Sequence, residues 1–399
     1  MKLVTLAARE KYEELAETVG FDFHTMHGEK YWIDGEAYEF SLAQVEEDIE
    51  GPATELHEMA MEAVGEIVRD SALMDRMAIP AEHHDLIRKS WSEAEPHLYG
   101  RFDLSYDGKS PAKMLEYNAD TPTSLFEAGV FQWGWLEDQI AAGQLAQGAD
   151  QFNGIYEALS SRWPQIMKPG ETLIHFAGDP DNKEDQATLR VLAETAEEAG
   201  FEAILTPLAE IGTDADGRFL DHEDRVIGTL FKLYPWEDLL LDDFASLIRG
   251  SRTRFVEPAW KAVLSNKGLM AVMWRMFEGH PNLLPCLFED EIGKDTAFVR
   301  RTMLALRFSG MARKPVLSRE GAGVTLTAPG GRIVEASGAE GYGHHPHILQ
   351  ALAPLPDFAG RRPVIGAWIT GDRCTGLGIR DDRSAITGDL SRFVPHYLV

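Results

Sequence analysis

Alternating polar side chains make one predicted β-hairpin the first candidate for chemistry. Arg101 and Asp103 alternate on its first strand, and Glu116 and Asn118 on its second, so each pair shares a face. A loop over about 107–112 places Asp103 opposite Glu116 and Arg101 opposite Asn118 on the neighbouring strand. The side-chain oxygens of Asp103, Glu116 and Asn118 are ligands of the kind that Mg²⁺ prefers. Arg101 suits a phosphate or a carboxylate. The residues alone leave open a solvated hairpin face with an ordinary ion pair.

Two lysines and a glycine loop form a second candidate site. Lys267 lies in LSNKGL, and Lys314 precedes the loop in RKPVLSREGAGV. A lysine on a strand before a flexible glycine loop can bridge nucleotide phosphates while loop N–H groups cover them. The pattern is neither a Walker A motif nor a GxGxxG motif, and an exposed turn is the alternative.

Charged residues elsewhere allow two interpretations each. Glu184 and Asp185 begin a predicted helix, where carboxylates complement the helix dipole or line an amine pocket. Arg380, near the end of an apolar strand and surrounded by Gly, Ser and Thr, suits an anion site, and a turn without function is the alternative.

Histidine and cysteine patterns favour no metal site or nucleophile. His344, His345 and His347 are predicted to lie in a loop, because Pro346 breaks helical spacing and no cysteine accompanies them. Cys286 is predicted to be a packing residue near a helix end. No Ser-His-Asp order or G-x-S-x-G elbow occurs.

The predicted elements divide the chain into three regions. Residues 1–97 are predicted to be mostly helical, with a helix over 1–20 and a capping box at Ser41 and Gln44. Pro52 either breaks the helix that follows this box or restarts it at a first-turn position. Region 98–250 contains the hairpin, a second capping box at Ser124 and Glu127, a buried strand at 172–177, a helix at 183–200, and strands near 203–205 and 225–232. This order predicts a partly parallel α/β unit.

Region 251–399 is predicted to be an antiparallel-rich α+β segment. Helical spacing covers 257–278, and the predicted strands that follow are 314–317, 324–326, 332–335, 348–351 and 364–370. The overall fold class is therefore α+β.

Composition excludes several classes of function. The 399 residues include 65 acidic and 38 basic residues, a formal net charge of −27, which excludes nucleic-acid binding and disfavours anionic membranes. The field attracts cations such as polyamines, although solubility alone explains an acidic surface. Two distant cysteines and the lack of an apolar run of about 18 residues predict a soluble cytoplasmic protein.

Seven longer motifs occur between about residue 12 and the C-terminus: RFDLSYDG, KMLEYNADTPTSLFEA, FKLYPWE, LSNKGL, GHPNLLP, RKPVLSREGAG and SRFVPHY. In content and order they resemble the glutathionylspermidine synthase family, in its stand-alone synthetase-like members. The resemblance implies an ATP-grasp fold with a pre-ATP-grasp-like α/β domain beside the helical N-terminal region.

The resemblance also implies a reaction. Members use ATP and Mg²⁺ to phosphorylate a carboxylate, that of the glycine of glutathione in the named enzyme, and a spermidine amine attacks the acyl phosphate. The expected substrates are a small-molecule acid, glutathione or a peptide, and an amine such as a polyamine. A phosphotransferase that stops at a phosphorylated product, and a non-catalytic nucleotide-binding partner protein, are the alternatives.

Individual roles follow from the matched motifs. The implied Mg²⁺ ligands are Asp103, Glu116 and Asn118, and the implied catalytic arginines are Arg101 and Arg380. The implied nucleotide contacts are Lys267, Lys314, Ser318, Gly321, Gly323, Leu349, Gln350, Ala351, Ala385, Ile386 and Thr387. The implied substrate contacts are Thr121, Thr123, Glu184 and Asp185.

The sequence also departs from the family pattern. Bifunctional members carry an N-terminal cysteine amidase, and since no cysteine precedes Cys286 we expect that domain to be missing. Leu233 in FKLYPWE replaces a small hydroxyl residue, and Thr121 and Thr123 replace serines. We therefore expect an intact ATP half and a diverged acceptor half.

Overall fold

The computed structural model describes residues 1–339, 341–388 and 391–399 and mixes helices with strands throughout, as an α+β chain should. The α-helices are α1 (Tyr12–Thr18), α2 (Leu42–Val45), α3 (Gly51–Ile67), α4 (Ser71–Arg76), α5 (His84–Ser92), α6 (Gln132–Ala141), α7 (Ile155–Ile166), α8 (Lys183–Glu198), α9 (Trp236–Leu239), α10 (Ile248–Ser251), α11 (Lys261–Leu264), α12 (Gly268–Met276) and α13 (Ala297–Ser309).

Within the described ranges, the strands fall into three larger sheets and three small ones. They are β1 (Lys2–Thr5), β2 (Thr25–Met26), β3 (Glu29–Lys30), β4 (Glu36–Phe40), β5 (Tyr99–Ser105), β6 (Lys113–Asn118), β7 (Leu173–Gly178), β8 (Glu202–Pro207), β9 (Gly212–Thr213), β10 (Phe219–Leu220), β11 (Thr229–Lys232), β12 (Arg254–Val256), β13 (Cys286–Phe288), β14 (Met311–Pro315), β15 (Thr325–Thr327), β16 (Ile333–Ala336), β17 (His347–Ala351), β18 (Arg362–Thr370), β19 (Arg373–Asp382), β20 (Arg392–Phe393) and β21 (His396–Leu398).

The central sheet carries the predicted hairpin. Its antiparallel order is β20-β19-β18-β5-β6, so strands from 99–118 and from 362–393 share one sheet. Every residue of β5 is buried, and β5 lies between β18 on one edge and β6 on the other. Helix α3 packs on β18 and β19 with an apolar face that includes Leu56, Ala60 and Val64.

The second sheet is parallel, in the order β12-β11-β7-β8. Helix α8 makes the crossover from β7 to β8, and it ends before Gly200, whose φ of +90° a glycine adopts readily. The predicted partly parallel α/β unit is confirmed here.

The third sheet is antiparallel, in the order β13-β17-β14-β15-β16, with α12 and α13 against it. It confirms the predicted antiparallel-rich segment. The region 257–278 is not one helix, however, but the two helices α11 and α12. The Asn266 side chain separates them, because it accepts from Gly268 N and donates to Met77 O, both at 2.8 Å.

The N-terminal prediction was partly wrong. Residues 2–5 form β1, which pairs with β4, while β21 from the C-terminus pairs with β4 in parallel. Within the first 20 residues only Tyr12–Thr18 is helical. The capping box at Ser41 and Gln44 is confirmed, and Pro52 lies in the first turn of α3, as its fixed φ allows.

Two further differences concern side chains with distant partners. Glu127 does not cap a helix at Ser124, because its carboxylate accepts a hydrogen bond from the Tyr31 hydroxyl at 2.5 Å. Cys286 is buried as predicted, but in a strand rather than near a helix end. Across the described residues, no helix is long and apolar enough to cross a membrane.

Candidate active site

The hairpin has the predicted register. Asp103 pairs with Glu116 and Arg101 with Asn118, and a bulge follows Asp103. Gly366 of β18 lies opposite Asp103, and a Cβ there would sit 2.8 Å from Arg101 Cδ. Sequence reasoning missed Gly366, although a glycine inside an apolar strand often marks such a close approach.

Asp103 joins the two predicted catalytic arginines. It accepts from Arg101 Nε at 2.7 Å and Nη2 at 3.3 Å, and from Arg380 Nη2 at 2.6 Å. Arg101 Nη1 also donates to Thr123 O at 2.6 Å, which connects the hairpin to the segment after it. Asp103 and Arg101 are buried, so this is a charge cluster largely removed from water.

Glu116 lies among the two predicted nucleotide lysines. Lys267 Nζ is 3.1 Å from Glu116 Oε2 and donates to Ser318 O at 2.6 Å, while Lys314 Nζ donates to Leu115 O at 2.9 Å. Burial alone would raise the pKa of Glu116, but the charges of Lys267 and Lys314 outweigh it and lower the pKa to about 2. Glu116 is therefore a carboxylate at any ordinary pH, as a metal ligand must be.

An apolar cavity of about 560 Å³ opens behind Lys314. Its walls include Leu115, Val324 and Leu326, a surface suited to a flat heteroaromatic base. The predicted nucleotide residues on its lining are Lys314, Gly321, Gln350, Ala351, Ala385, Ile386 and Thr387.

Four predicted nucleotide residues are not on the lining of that cavity, and one of them is Lys267, which lies beside Glu116 as described above. Leu349 points into an apolar cluster with Leu287 and Leu306, so its side chain cannot contact a base. Gly323 packs under Pro315, whose Cγ would be 2.8 Å from an added Cβ. Ser318 lines the neighbouring cleft, and its buried Oγ has no hydrogen-bond partner.

That neighbouring cleft has a volume of about 710 Å³ and meets the apolar cavity at the hairpin. Both are lined by Asp103, Glu116, Gly321 and Thr387. A molecule bound in the cleft and a molecule bound in the apolar cavity would therefore meet at the carboxylates of Asp103 and Glu116. The predicted substrate residues Thr121, Thr123, Glu184 and Asp185 line the cleft, as do Arg101, Arg380, Asn118 and Leu233.

The wall of the cleft at the start of α8 is acidic. Burial, with the nearby charges of Glu184 and Asp179, raises the pKa of Asp185 to about 7. Glu127 is buried and is not on the lining of the cleft, and burial with the charge of Glu184 raises its pKa to about 8. Sequence reasoning missed Glu127 because its partner Tyr31 is distant in the chain. These carboxylates are costly to ionise without a positive charge nearby. A cation placed here would stabilise their ionised forms and would be held by them.

Two contacts hold the glycine loop over the junction of the cavities. Arg319 donates to Glu237 Oε1 at 2.8 Å, which links the loop to the segment that follows β11. Gly321 has φ +72° and packs against Ile386, whose Cγ2 would be 2.5 Å from a Cβ. Only glycine fits this position without displacing the 385–387 segment.

The donor set on the hairpin fits Mg²⁺. Asp103, Glu116 and Asn118 offer two carboxylates and an amide oxygen from facing strand positions. The cations Arg101, Arg380, Lys267 and Lys314 surround them, so four positive charges are concentrated here in an otherwise acidic protein. The three histidines are elsewhere: His347 begins β17, and His344 and His345 lie in the turn before it.

Comparison with known proteins identifies the class of this site. A Haemophilus influenzae protein provisionally named acid–amine ligase is 40% identical over 393 residues, 96% of this chain and 95% of its own length. The trypanothione synthetase of Crithidia fasciculata is 29% identical over 84% of this chain and 52% of its own length. The bifunctional glutathionylspermidine synthetase/amidase of Escherichia coli is 26% identical over 89% of this chain and 58% of its own. This chain thus spans little more than half of the latter two.

The fold has a relative among solved structures. The apo form of a glutathione synthetase-like effector from Globodera pallida aligns with a TM-score of 0.56 over 90% of this chain and 89% of that chain, at 11% identity. The sequence relatives define the class as ligases of the acid–amine type. The chain belongs to the glutathionylspermidine synthase pre-ATP-grasp family, whose model matches residues 3–399.

Proposed function

We propose that this protein is an ATP- and Mg²⁺-dependent ligase that forms an amide bond between a carboxylic acid and an amine through an acyl phosphate. The observation that carries the proposal is the meeting of two cavities at Asp103 and Glu116, with four cationic side chains around that junction. We assign most of the pre-ATP-grasp-like unit to residues 98–250 and most of the ATP-grasp nucleotide unit to 251–399, after the N-terminal region 1–97. Strand pairs cross the boundary, since β5 pairs with β18 and β11 pairs with β12.

The apolar cavity would take the adenine, with Gln350 and the 385–387 segment beside it. The triphosphate would then extend toward Lys314, Lys267 and the unpartnered hydroxyl of Ser318. When bound, Mg²⁺ would be held by Asp103, Glu116 and Asn118 and would neutralise charge on the transferring phosphoryl group.

In the first step an oxygen of the acid's carboxylate forms a bond to the γ-phosphorus of ATP, and the bond between that phosphorus and the bridging oxygen breaks, releasing ADP. The carboxylate and the triphosphate are both anions and repel each other. Arg101 and Arg380 offset this repulsion and hold the two anions together. In the second step the amine nitrogen forms a bond to the acyl carbon, phosphate leaves, and the nitrogen loses a proton.

The acidic wall would bind the amine. Asp185, with a pKa of about 7, can balance an ammonium when ionised and can accept its proton at neutral pH. Glutathione or a short peptide as the acid, and a polyamine as the amine, are the substrates we propose, because relatives are named trypanothione synthetase and glutathionylspermidine synthetase. Leu233, apolar where the family pattern has a hydroxyl residue, would alter the acid pocket.

A cytoplasmic location accompanies the proposal. Both cysteines are free and buried, which suits a reducing compartment.

The test measures ADP release with Mg²⁺ and ATP, glutathione or a short peptide, and a panel of amines, with amide product followed by mass spectrometry. We expect ADP and amide in equal amounts. Lys314→Met and Glu116→Ala should abolish turnover, whereas Lys11→Met, which alters an exposed lysine paired only with Glu14, should leave it unchanged.

The same assay separates the alternatives. A phosphorylated product that accumulates without amine would indicate a phosphotransferase. Nucleotide binding without turnover on any acid would indicate a non-catalytic partner protein. Wild-type rates in both Lys314→Met and Glu116→Ala would refute the roles assigned to these two residues.

A further inference from the structure

Two buried histidines and an aspartate meet on the reverse face of the central sheet, away from the hairpin's polar side. His57 lies on α3, His97 lies just before β5, and Asp372 lies in the turn between β18 and β19. Their ligand atoms all lie within 4.8 Å of one another. Neither histidine faces the two cavities of the candidate active site.

The two distances from the histidines to Asp372 are close to the edge length of a metal coordination tetrahedron. His97 Nε2 is 3.1 Å and His57 Nε2 is 3.5 Å from Asp372 Oδ1. Bonds of about 2.0–2.1 Å to a tetrahedral ion place neighbouring ligand atoms roughly 3.3–3.4 Å apart. The two distances lie on either side of that value.

Two ring nitrogens of the cluster, His57 Nε2 and His97 Nδ1, are buried without a hydrogen-bond partner. His57 Nε2 is buried, is aimed at Asp372 and has no hydrogen-bond partner, whereas His57 Nδ1 lies 2.9 Å from the Tyr117 hydroxyl. An outer hydrogen bond of this kind orients an imidazole for metal binding through its other nitrogen. Burial lowers the pKa of both histidines, which favours the neutral ring that metal binding requires.

The surrounding charges permit a divalent cation. Lys261 is a buried cation whose charge acts on both histidines, and Glu257 pairs with it at 3.1 Å. Arg162 donates to the His97 carbonyl at 2.9 Å and is a second positive charge nearby. Asp372 supplies the negative charge that remains, and its side chain is 68% exposed, which leaves an entry path and room for a water ligand.

We propose that His57, His97 and Asp372 form a binding site for one zinc-class transition-metal ion, separate from the Mg²⁺ site of the hairpin. Two imidazoles and one carboxylate favour Zn²⁺ or Co²⁺ over Mg²⁺, which prefers oxygen ligands. A water molecule takes the fourth position.

The ion would brace the candidate active site from behind. Tyr117, which touches His57, lies between Glu116 and Asn118 on β6, and its side chain points to the opposite face. Its ring stacks on Phe102 of β5 with centroids 3.8 Å apart. The site thus ties α3 and the β18–β19 turn to the reverse face of the hairpin.

The test uses the full chain, stripped with a chelator and then titrated with Zn²⁺ or Co²⁺ in excess Mg²⁺, by calorimetry and by the visible spectrum of bound Co²⁺. We expect one equivalent of metal and a rise in melting temperature. Asp372→Asn should weaken binding at least about tenfold and remove the rise. The exposed position of Asp372 makes this variant compatible with folding.

Two controls isolate the site. The double variant His344→Ala with His345→Ala removes one exposed and one half-buried histidine from the turn before β17, and it should bind as wild type does. Glu116→Gln should also still bind one equivalent of metal. Failure of the proposed ligase function would therefore not affect this result. Less than about 0.1 equivalent bound, or equal affinity in Asp372→Asn, would show a hydrogen-bonded cluster only and overturn the proposal.

Discussion

Asp103→Asn tests whether a single carboxylate holds two active-site arginines in place. Asp103 accepts three hydrogen bonds, two from Arg101 and one from Arg380, over 2.6–3.3 Å. Removing one partner of a buried ion pair costs about 3–5 kcal/mol, because the remaining charge is left uncompensated. Arg380 is 18% exposed and the amide keeps one acceptor oxygen, so we expect the lower end, a loss of about 3 kcal/mol in the free energy of unfolding.

The assay is urea unfolding of the nucleotide-free protein, followed by tryptophan fluorescence. Asp295→Asn is the matched control, since Asp295 pairs with Arg300 in an exposed position. An exposed pair of this kind contributes less than about 1 kcal/mol. A loss below about 1 kcal/mol in Asp103→Asn, equal to that of the control, would refute the view that Asp103 neutralises the arginines.

Three further predictions concern the two cavities. Lys314→Met should weaken ATP binding about 10- to 100-fold, because one charged hydrogen bond contributes about 1.5–3 kcal/mol; calorimetry measures this, and unchanged affinity would remove Lys314 from the nucleotide site. Asp185 loses its proton as the pH rises through about 7, so the KM for a polyamine should fall from pH 6 to pH 8. Asp185→Asn should flatten this pH profile of KM. A variant profile identical to that of the wild type would contradict the role assigned to Asp185. Gly366→Ala should lower kcat and cost about 1–3 kcal/mol of stability, because its Cβ would lie 2.8 Å from Arg101 Cδ; wild-type kinetics would show that Arg101 need not hold its position.

Local patterns explain why the core of the candidate site could be predicted from the sequence. The hairpin follows from a period of two along each strand and from the loop length, both read within about twenty residues. The register of Asp103 with Glu116 therefore required no knowledge of the rest of the chain. The clustering of Lys267 and Lys314 beside them came from the family resemblance, because these lysines are far away in sequence.

What the sequence did not predict depends on distant partners. Residues 2–5 form a strand because β4 and the C-terminal β21 complete a sheet with them. Helix α13 was missed, although Thr296 caps it through Val299 N at 3.2 Å. Glu127 was interpreted as a helix cap, and its actual partner Tyr31 could be recognised only in three dimensions.

The central claim is that the acid becomes an acyl phosphate between the two cavities. The most direct measurement supplies glutathione labelled with ¹⁸O in its glycine carboxylate, with ATP, Mg²⁺ and a polyamine, and follows the label by mass spectrometry. The proposed chemistry predicts one labelled oxygen in the released phosphate for each amide formed. Unlabelled phosphate released while the acid keeps all its ¹⁸O would contradict it.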